Sequence, residues 1–277
     1  MIGGRRHRAV AICDWYVAPG HAGRMIGRRL VRQFDAPDRL MYAFSMSEDA
    51  IAYLTRLGWV GPHTATFMAL PLPAIASLVS ALSLRQSEVS IEEHVVSAGA
   101  FPPAIASDLD LVETGSANNA AARMCRDSKE WSWRLSMNSE RQYHFGLARR
   151  SGRPVGYVVV RRLTPGSSRL MGRLPGALVT DLVVVDGDDA ALRALIARAA
   201  RIAGSLGAVV ALAVTTNASH RNTLARAGFL SPSVPFLGRK LQRHAPQFMW
   251  LPRGPGIGLA ADRMELMFGD SDVDLKL

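Results

Sequence analysis

Apolar and polar positions along the chain alternate between two periods. Residues 9–17 form an apolar, β-rich run that predicts a strand. A turn follows at Pro19-Gly20-His21-Ala22-Gly23. Ile26, Leu30, Val31 and Phe34 then recur on one face of a helix predicted over about residues 24–34, with Arg28, Arg29 and Arg32 opposite. Residues 40–44 predict a second strand. Ser47 offers an N-cap and Glu48 and Asp49 an acidic first turn for a helix through Ala50, Tyr53, Leu54 and Leu57, which Gly58 ends. Residues 64–70 predict a third strand, and 71–87 a linker with some helix.

The second part of the chain opens near Glu88, with a strand expected over 90–97 and helical material over about 108–127. Residues 143–149 and 154–162 read as strands joined by the hairpin signal Ser151-Gly152-Arg153. Residues 178–185 predict a buried strand, broken in polarity only by Thr180 and Asp181. Leu192, Leu195, Ile196, Ala199, Ala203 and Leu206 mark a long amphipathic helix closed by Gly207. A buried strand over 208–214 and a helix over 217–227, stopped by Gly228, complete the pattern.

The order strand–helix–strand–helix thus occurs twice, over 9–58 and over 178–228. Each crossover of this kind joins parallel strands. The expected fold class is α/β: two tandem units, each a mixed, partly parallel sheet flanked by helices. The expected division is 1–84, 85–252 and a tail over 253–277. The second copy follows a long stretch of strands and helices that the first lacks.

Composition narrows the chemistry. Of 277 residues 48% are hydrophobic, enough for two cores. The net charge is +10, and lysine occurs only at 129, 240 and 276, so arginine carries the excess. Arginine suits bidentate capture of phosphate or carboxylate. No basic run is interleaved with aromatics, so a solvated basic surface is preferred to nucleic-acid binding. Cys13 and Cys125 make no CxxC and no zinc spacing; no metal site is expected, and two isolated thiols suit a reducing cytoplasm. The basic N-terminus has no apolar h-region, so a signal peptide is not expected. Residues 64–84 lack charge, but Pro71 and Pro73 argue against a membrane helix.

The segment Trp15-Tyr16-Val17-Ala18-Pro19-Gly20-His21-Ala22-Gly23-Arg24-Met25-Ile26-Gly27-Arg28-Arg29-Leu30 resembles the acyl-CoA-binding segment of GNAT N-acyltransferases: a strand ending in Val-x-Pro, a glycine-containing loop, then a helix. The stretch Ala50 to Trp59, ending Leu57-Gly58-Trp59, resembles that family's second signature, as does Asn217 to Phe229 in the second copy. Trp131 to Leu135, followed by Tyr143 and Gly156-Tyr157, is similar to a tandem-GNAT subgroup. In register, the family's Gln/Arg falls on Ala22, its first glycine on Met25, and Gly27 keeps the consensus. The family tyrosine that protonates the leaving thiolate falls on Leu54, next to Tyr53.

The resemblance implies direct acetyl transfer from acetyl-CoA to an amine on a small molecule, sugar or protein. A degenerate, non-catalytic GNAT scaffold that binds a partner or senses acyl-CoA is the alternative. Tyr16, Val17, Ala18, His21, Ala22, Gly23, Arg24, Met25, Ile26, Gly27 and Arg28 would hold the co-substrate. Tyr53 and Asp181 are the candidate catalytic groups, and His63 a further candidate base. A pyrophosphate needs N–H groups converging at a helix N-terminus. In the second copy that loop is Asp186-Gly187-Asp188-Asp189, whose carboxylates repel an anion. Asp270, Asp272 and Asp274 lack the glycine and glutamate of a calcium loop and read as a solvated acidic tail.

Overall fold

The computed structural model describes residues 1–2, 5–12, 25–72, 88–97, 101–116, 122–137, 140–163, 166, 172–185, 187–231 and 245–267. The first repeat supplies β1 (Arg8–Ile12), α1 (Ile26–Phe34), β2 (Arg39–Phe44), α2 (Glu48–Arg56), β3 (Val60–Thr64) and β4 (Thr66–Pro71). Next come β5 (Val89–Val96), α3 (Pro103–Gly115), β6 (Ala122–Arg123), α4 (Ser128–Met137), β7 (Tyr143–Arg150) and β8 (Arg153–Leu163). The second repeat supplies β9 (Gly176–Val184), α5 (Asp189–Ser205), β10 (Val210–Thr215) and α6 (Ala218–Arg226). β11 (Gln247–Trp250) and β12 (Met264–Glu265) follow.

Both crossovers are parallel, as the repeat requires. β1 pairs with β2 from Arg8↔Arg39 to Ile12↔Ala43, and β9 with β10 from Gly176↔Val210 to Val179↔Ala213. Ser47 caps α2 by accepting from the Ala50 amide at 3.3 Å. Ser151 and Gly152 both take positive φ, 49° and 78°, as a two-residue turn between twisted antiparallel strands demands.

The sheets exchange strands across the expected division at residue 84. The first sheet has the order β1-β2-β11-β3 and the larger one β4-β10-β9-β8-β7-β5, while β6 and β12 form a separate parallel pair. β4, from the first part of the chain, pairs antiparallel with β10; β11, from the second, lies between β2 and β3. The strand expected over 64–70 is β4, and the unexpected β3 precedes it, in the other sheet. Ala65, buried and donating its amide to the Pro246 carbonyl, is where the chain leaves one sheet for the other. The helical material expected over about 108–127 is met only by α3, which starts earlier, at Pro103; β6 holds Ala122 and Arg123, and α4 begins only at Ser128. Pro103 suits the first turn of α3, which Gly115 ends.

Four cores result. α1 and α2 cover the outer face of the first sheet through Val31, Met41, Leu54, Trp59 and Met249. The two sheets face each other through Tyr42, Phe44, Phe248 and Trp250 on one side and Phe67, Leu178, Leu212 and Val214 on the other. α5 and α6 cover the far face of the larger sheet, and α3 and α4 pack on its near face around Trp131, Phe145 and Tyr157. Leu192, Leu195, Ile196 and Ile202 of α5 are at most 2% exposed. Each such side chain contributes ~1.5–3 kcal/mol. No helix among the described residues is long and apolar enough to cross a membrane.

Candidate functional site

The two repeats present equivalent helix N-termini with opposite chemistry. An α-helix leaves its first N–H groups without intrahelical partners, and the helix dipole makes that end attractive to anions. At α1 the position before the helix is Met25, left-handed at φ 55°, ψ 23° and 54% exposed, and no side chain among the described residues caps the end. The first turn of α1 holds no acid. Gly27 is buried, Ile26 and Arg28 are half-buried, and the Nε atom of Arg28 is enclosed without a hydrogen-bond partner among the described residues. A guanidinium at a helix N-terminus without an acidic cap suits an anion with several oxygens.

At α5 the same place is already filled. The Asp188 side chain accepts from the Ala191 amide at 2.9 Å and pairs with Arg150 at 2.8 Å, and Asp189 stands in the first turn. The helix carries its own anion.

Of the residues expected to bind the co-substrate, Met25, Ile26, Gly27 and Arg28 are thus placed together at the α1 end. Tyr16, Val17, Ala18, His21, Ala22, Gly23 and Arg24 lie outside the described residues, as do Cys13, Asp186 and the aspartates of the tail. The structure does not bring Tyr53 and Asp181 together. Tyr53 is half-buried on α2, against the outer face of the first sheet, while Leu54 points into the core there. His63 lies on β3, stacked on Trp250 with centroids 4.9 Å apart.

Asp181 belongs to a buried ionic network in the larger sheet. Its Oδ1 lies 2.8 Å from Arg126 Nε, and both side chains are fully buried. Arg126 also approaches Glu265, with its Nη1 3.6 Å from Oε1 and its Nη2 donating to the carbonyl at 3.4 Å. Nearby, Arg123 pairs with Glu113 at 2.9 Å. Burial alone raises the Glu265 carboxyl, but Arg126, His220 and Arg123 outweigh it and hold the group below its usual range. Tyr157 donates to the Arg126 carbonyl and accepts from Trp131 Nε1; burial first, then Asp181, pushes its hydroxyl well above the usual range. Sequence reasoning reached Asp181 and missed Arg126, Glu265, Arg123 and Glu113. Glu265, set between Met264 and Leu266, carried a signal in its apolar neighbours.

Between the first sheet and the β6–β12 pair lies a cavity of about 240 Å³. Ala9, Leu40 and Tyr42 of β1 and β2 form one wall, and Ala122 to Cys125, Met264 and Leu266 the other. Cys125 is half-buried there and is not in a disulfide. The cavity lies on the face of the first sheet opposite α1, alongside the strand that leads to the candidate co-substrate loop.

No protein-family model matches the chain, and no curated protein is similar to it in sequence. Solved structures are similar in fold. A tandem GNAT protein from the clavulanic acid biosynthesis pathway superposes with a TM-score of 0.55 at 16% identity, covering 88% of this chain and 74% of that one. A GCN5-related N-acetyltransferase from Anabaena variabilis gives 0.51 at 12% identity, covering 90% of this chain and 56% of that one. N-myristoyltransferase from Saccharomyces cerevisiae, solved with myristoyl-CoA, gives 0.51 at 11% identity, covering 95% and 65%. The chain spans little more than half the length of the Anabaena protein and just under two thirds of the yeast one. With two strand–helix–strand–helix repeats joined in this way, the chain has the tandem GNAT fold.

Proposed function

We propose that the chain is an acetyl-CoA-dependent N-acyltransferase whose co-substrate binds at the first repeat. The observation that carries the reading is the contrast between α1 and α5. Among the described residues the α1 end has no side-chain cap, no acid in its first turn and an Arg28 Nε without a hydrogen-bond partner. The α5 end is neutralised by Asp188. In this reading the N–H groups of Ile26 to Arg28 and the Arg28 guanidinium hold the pyrophosphate, and Gly27 allows it close approach. The resemblance assigns the backbone about Val17 and Ala18 to the thioester carbonyl. Acetyl-CoA supplies an activated acyl group, which a neutral amine attacks without a covalent enzyme intermediate.

The cavity between the first sheet and the β6–β12 pair holds the acceptor in this reading. At about 240 Å³ it takes a small molecule or a single side chain, and its largely apolar walls favour an amine on an apolar body. An unpaired Cys125 agrees with a reducing, cytoplasmic setting.

The test is release of free CoA thiol from acetyl-CoA across a panel of primary amines. Acceptor-dependent release is expected, with kcat/KM lowered about tenfold in Arg28→Ala, or ~1.4 kcal/mol. Tyr53→Phe in the same assay reports whether that hydroxyl supplies a proton. A folded chain that neither binds acetyl-CoA nor releases thiol with any amine would overturn the proposal in favour of a non-catalytic scaffold.

A further inference from the structure

β9 and β10 run parallel and then part. Their pairing stops at Val179↔Ala213, although β9 continues to Val184 and β10 to Thr215. The parting coincides with a bulge. Opposite β8, Asp181 faces Val159 and Val179 faces Val160, which leaves Thr180 as the extra residue. In an open α/β sheet, such a crevice at the carboxyl ends of parallel strands is where ligands bind.

Here the crevice holds the chain itself. The Thr216 amide donates to the Leu266 carbonyl at 3.3 Å, the Leu266 amide donates to Thr216 Oγ1 at 2.9 Å, and Thr216 Oγ1 donates to the Met264 carbonyl. Asn217 Nδ2 reaches Glu265 Oε2 at 3.4 Å. On its other edge the segment pairs in parallel with β6, Met264 with Ala122 and Glu265 with Arg123, and beyond β6 Arg126 joins Asp181 to Glu265. Leu266 packs in the core between the sheets, and the next residue, Met267, packs in the core under α5 and α6. Two consecutive buried side chains on opposite faces of the sheet place residues 264–267 in its plane, between the parted strands. Two polar atoms, Thr180 Oγ1 and His220 Nδ1, stay enclosed without hydrogen-bond partners, so the fit is incomplete.

We propose that the crevice between β9 and β10 is a slot for an extended peptide of the pattern apolar–acidic–apolar–apolar, and that Met264-Glu265-Leu266-Met267 fills it in cis. Arg126 and Asn217 read the acidic residue, Thr216 reads the backbone on the β10 side, and the two cores take the apolar residues. The slot is thereby closed to other ligands. This inference does not depend on the first repeat binding acetyl-CoA.

Hydrogen exchange on the full chain tests it. The Leu266 and Thr216 amides are expected to exchange as slowly as those of β8. In Glu265→Ala both should exchange at least tenfold faster while β7 and β8 stay slow, and the conservative Glu265→Gln should fall between. Excess synthetic peptide spanning residues 261–267, added to Glu265→Ala, should restore slow exchange at Thr216. Three results would overturn the proposal: fast exchange at Leu266 in the unaltered chain, Glu265→Gln loosening β7 and β8 together with the segment, or no restoration by the peptide. Acetyl-CoA stoichiometry gives a separate reading. One equivalent per chain that is lost in Gly27→Glu, or none, leaves the slot filled; an equivalent that persists in Gly27→Glu would mean that it is open.

Discussion

Replacing Arg126 by methionine isolates the ionic network. The substitution keeps most of the side-chain volume and removes the guanidinium that lies 2.8 Å from Asp181 and bonds the Glu265 backbone carbonyl. Asp181 is fully buried and Glu265 is 5% exposed, so water cannot replace the lost charge. Breaking a buried pair by removing one partner costs about 3–5 kcal/mol, because the other charge stays behind in a poorly polarisable interior. With a urea m-value of ~3 kcal/mol/M, the unfolding midpoint should fall by about 1–1.7 M. The assay is urea unfolding followed by tryptophan fluorescence, to which buried Trp131 contributes directly. Its Nε1 donates to Tyr157, whose hydroxyl donates to the Arg126 carbonyl. A triple variant, Arg126→Met with Asp181→Leu and Glu265→Leu, removes all three charges and should recover most of the loss. A single variant within about 0.5 kcal/mol of the parent, or a triple variant less stable than the single, would refute the assignment of a mutually dependent network.

Other sites give independent checks. A Cβ at Gly156 would lie 2.7 Å from the Val183 carbonyl oxygen and 3.0 Å from Leu195 Cδ1, so Gly156→Ala should cost about 1–3 kcal/mol, read as a lower Tm. Tyr157→Phe deletes a buried hydroxyl that bonds both Trp131 and the Arg126 carbonyl; a loss of about 1–3 kcal/mol is expected in urea unfolding. Burial holds the His220 imidazole below its usual range, so the unfolded chain takes up a proton near pH 6.5 that the folded chain resists. Stability is then full above about pH 6.5 and falls below it; His220→Leu should flatten the Tm profile between about pH 6.5 and 5, and an unchanged slope would count against a buried neutral His220.

The sequence carried the fold where structure is local. Both crossovers, the turn at Ser151-Gly152 and the left-handed glycines 58, 207 and 228 follow from periodicity and from residues that tolerate positive φ. The strand exchange did not show. β4 and β11 are short apolar runs, and nothing within such a run says which sheet it will join. Their partners are fixed by packing between residues far apart in the chain: Thr66 with Thr215, and Phe248 with Phe44. The same distance hid the network. Arg126 and Glu265 are 139 positions apart, and Arg126 sits among polar neighbours, so no spacing rule joins them. The contrast between the two helix ends was legible in part, since Asp188 and Asp189 are plain in the sequence. That Asp188 turns back to cap α5 needed coordinates.

Titration calorimetry of acetyl-CoA against the intact chain and against Gly27→Glu tests the central claim most directly. Gly27 is buried at the α1 end, and a carboxylate there would take the place of the pyrophosphate. The account predicts micromolar binding to the parent chain, weakened more than tenfold (over ~1.4 kcal/mol) in the variant, with the thermal unfolding of β7–β9 unchanged. Equal binding by both chains, or none by the folded parent, would contradict it.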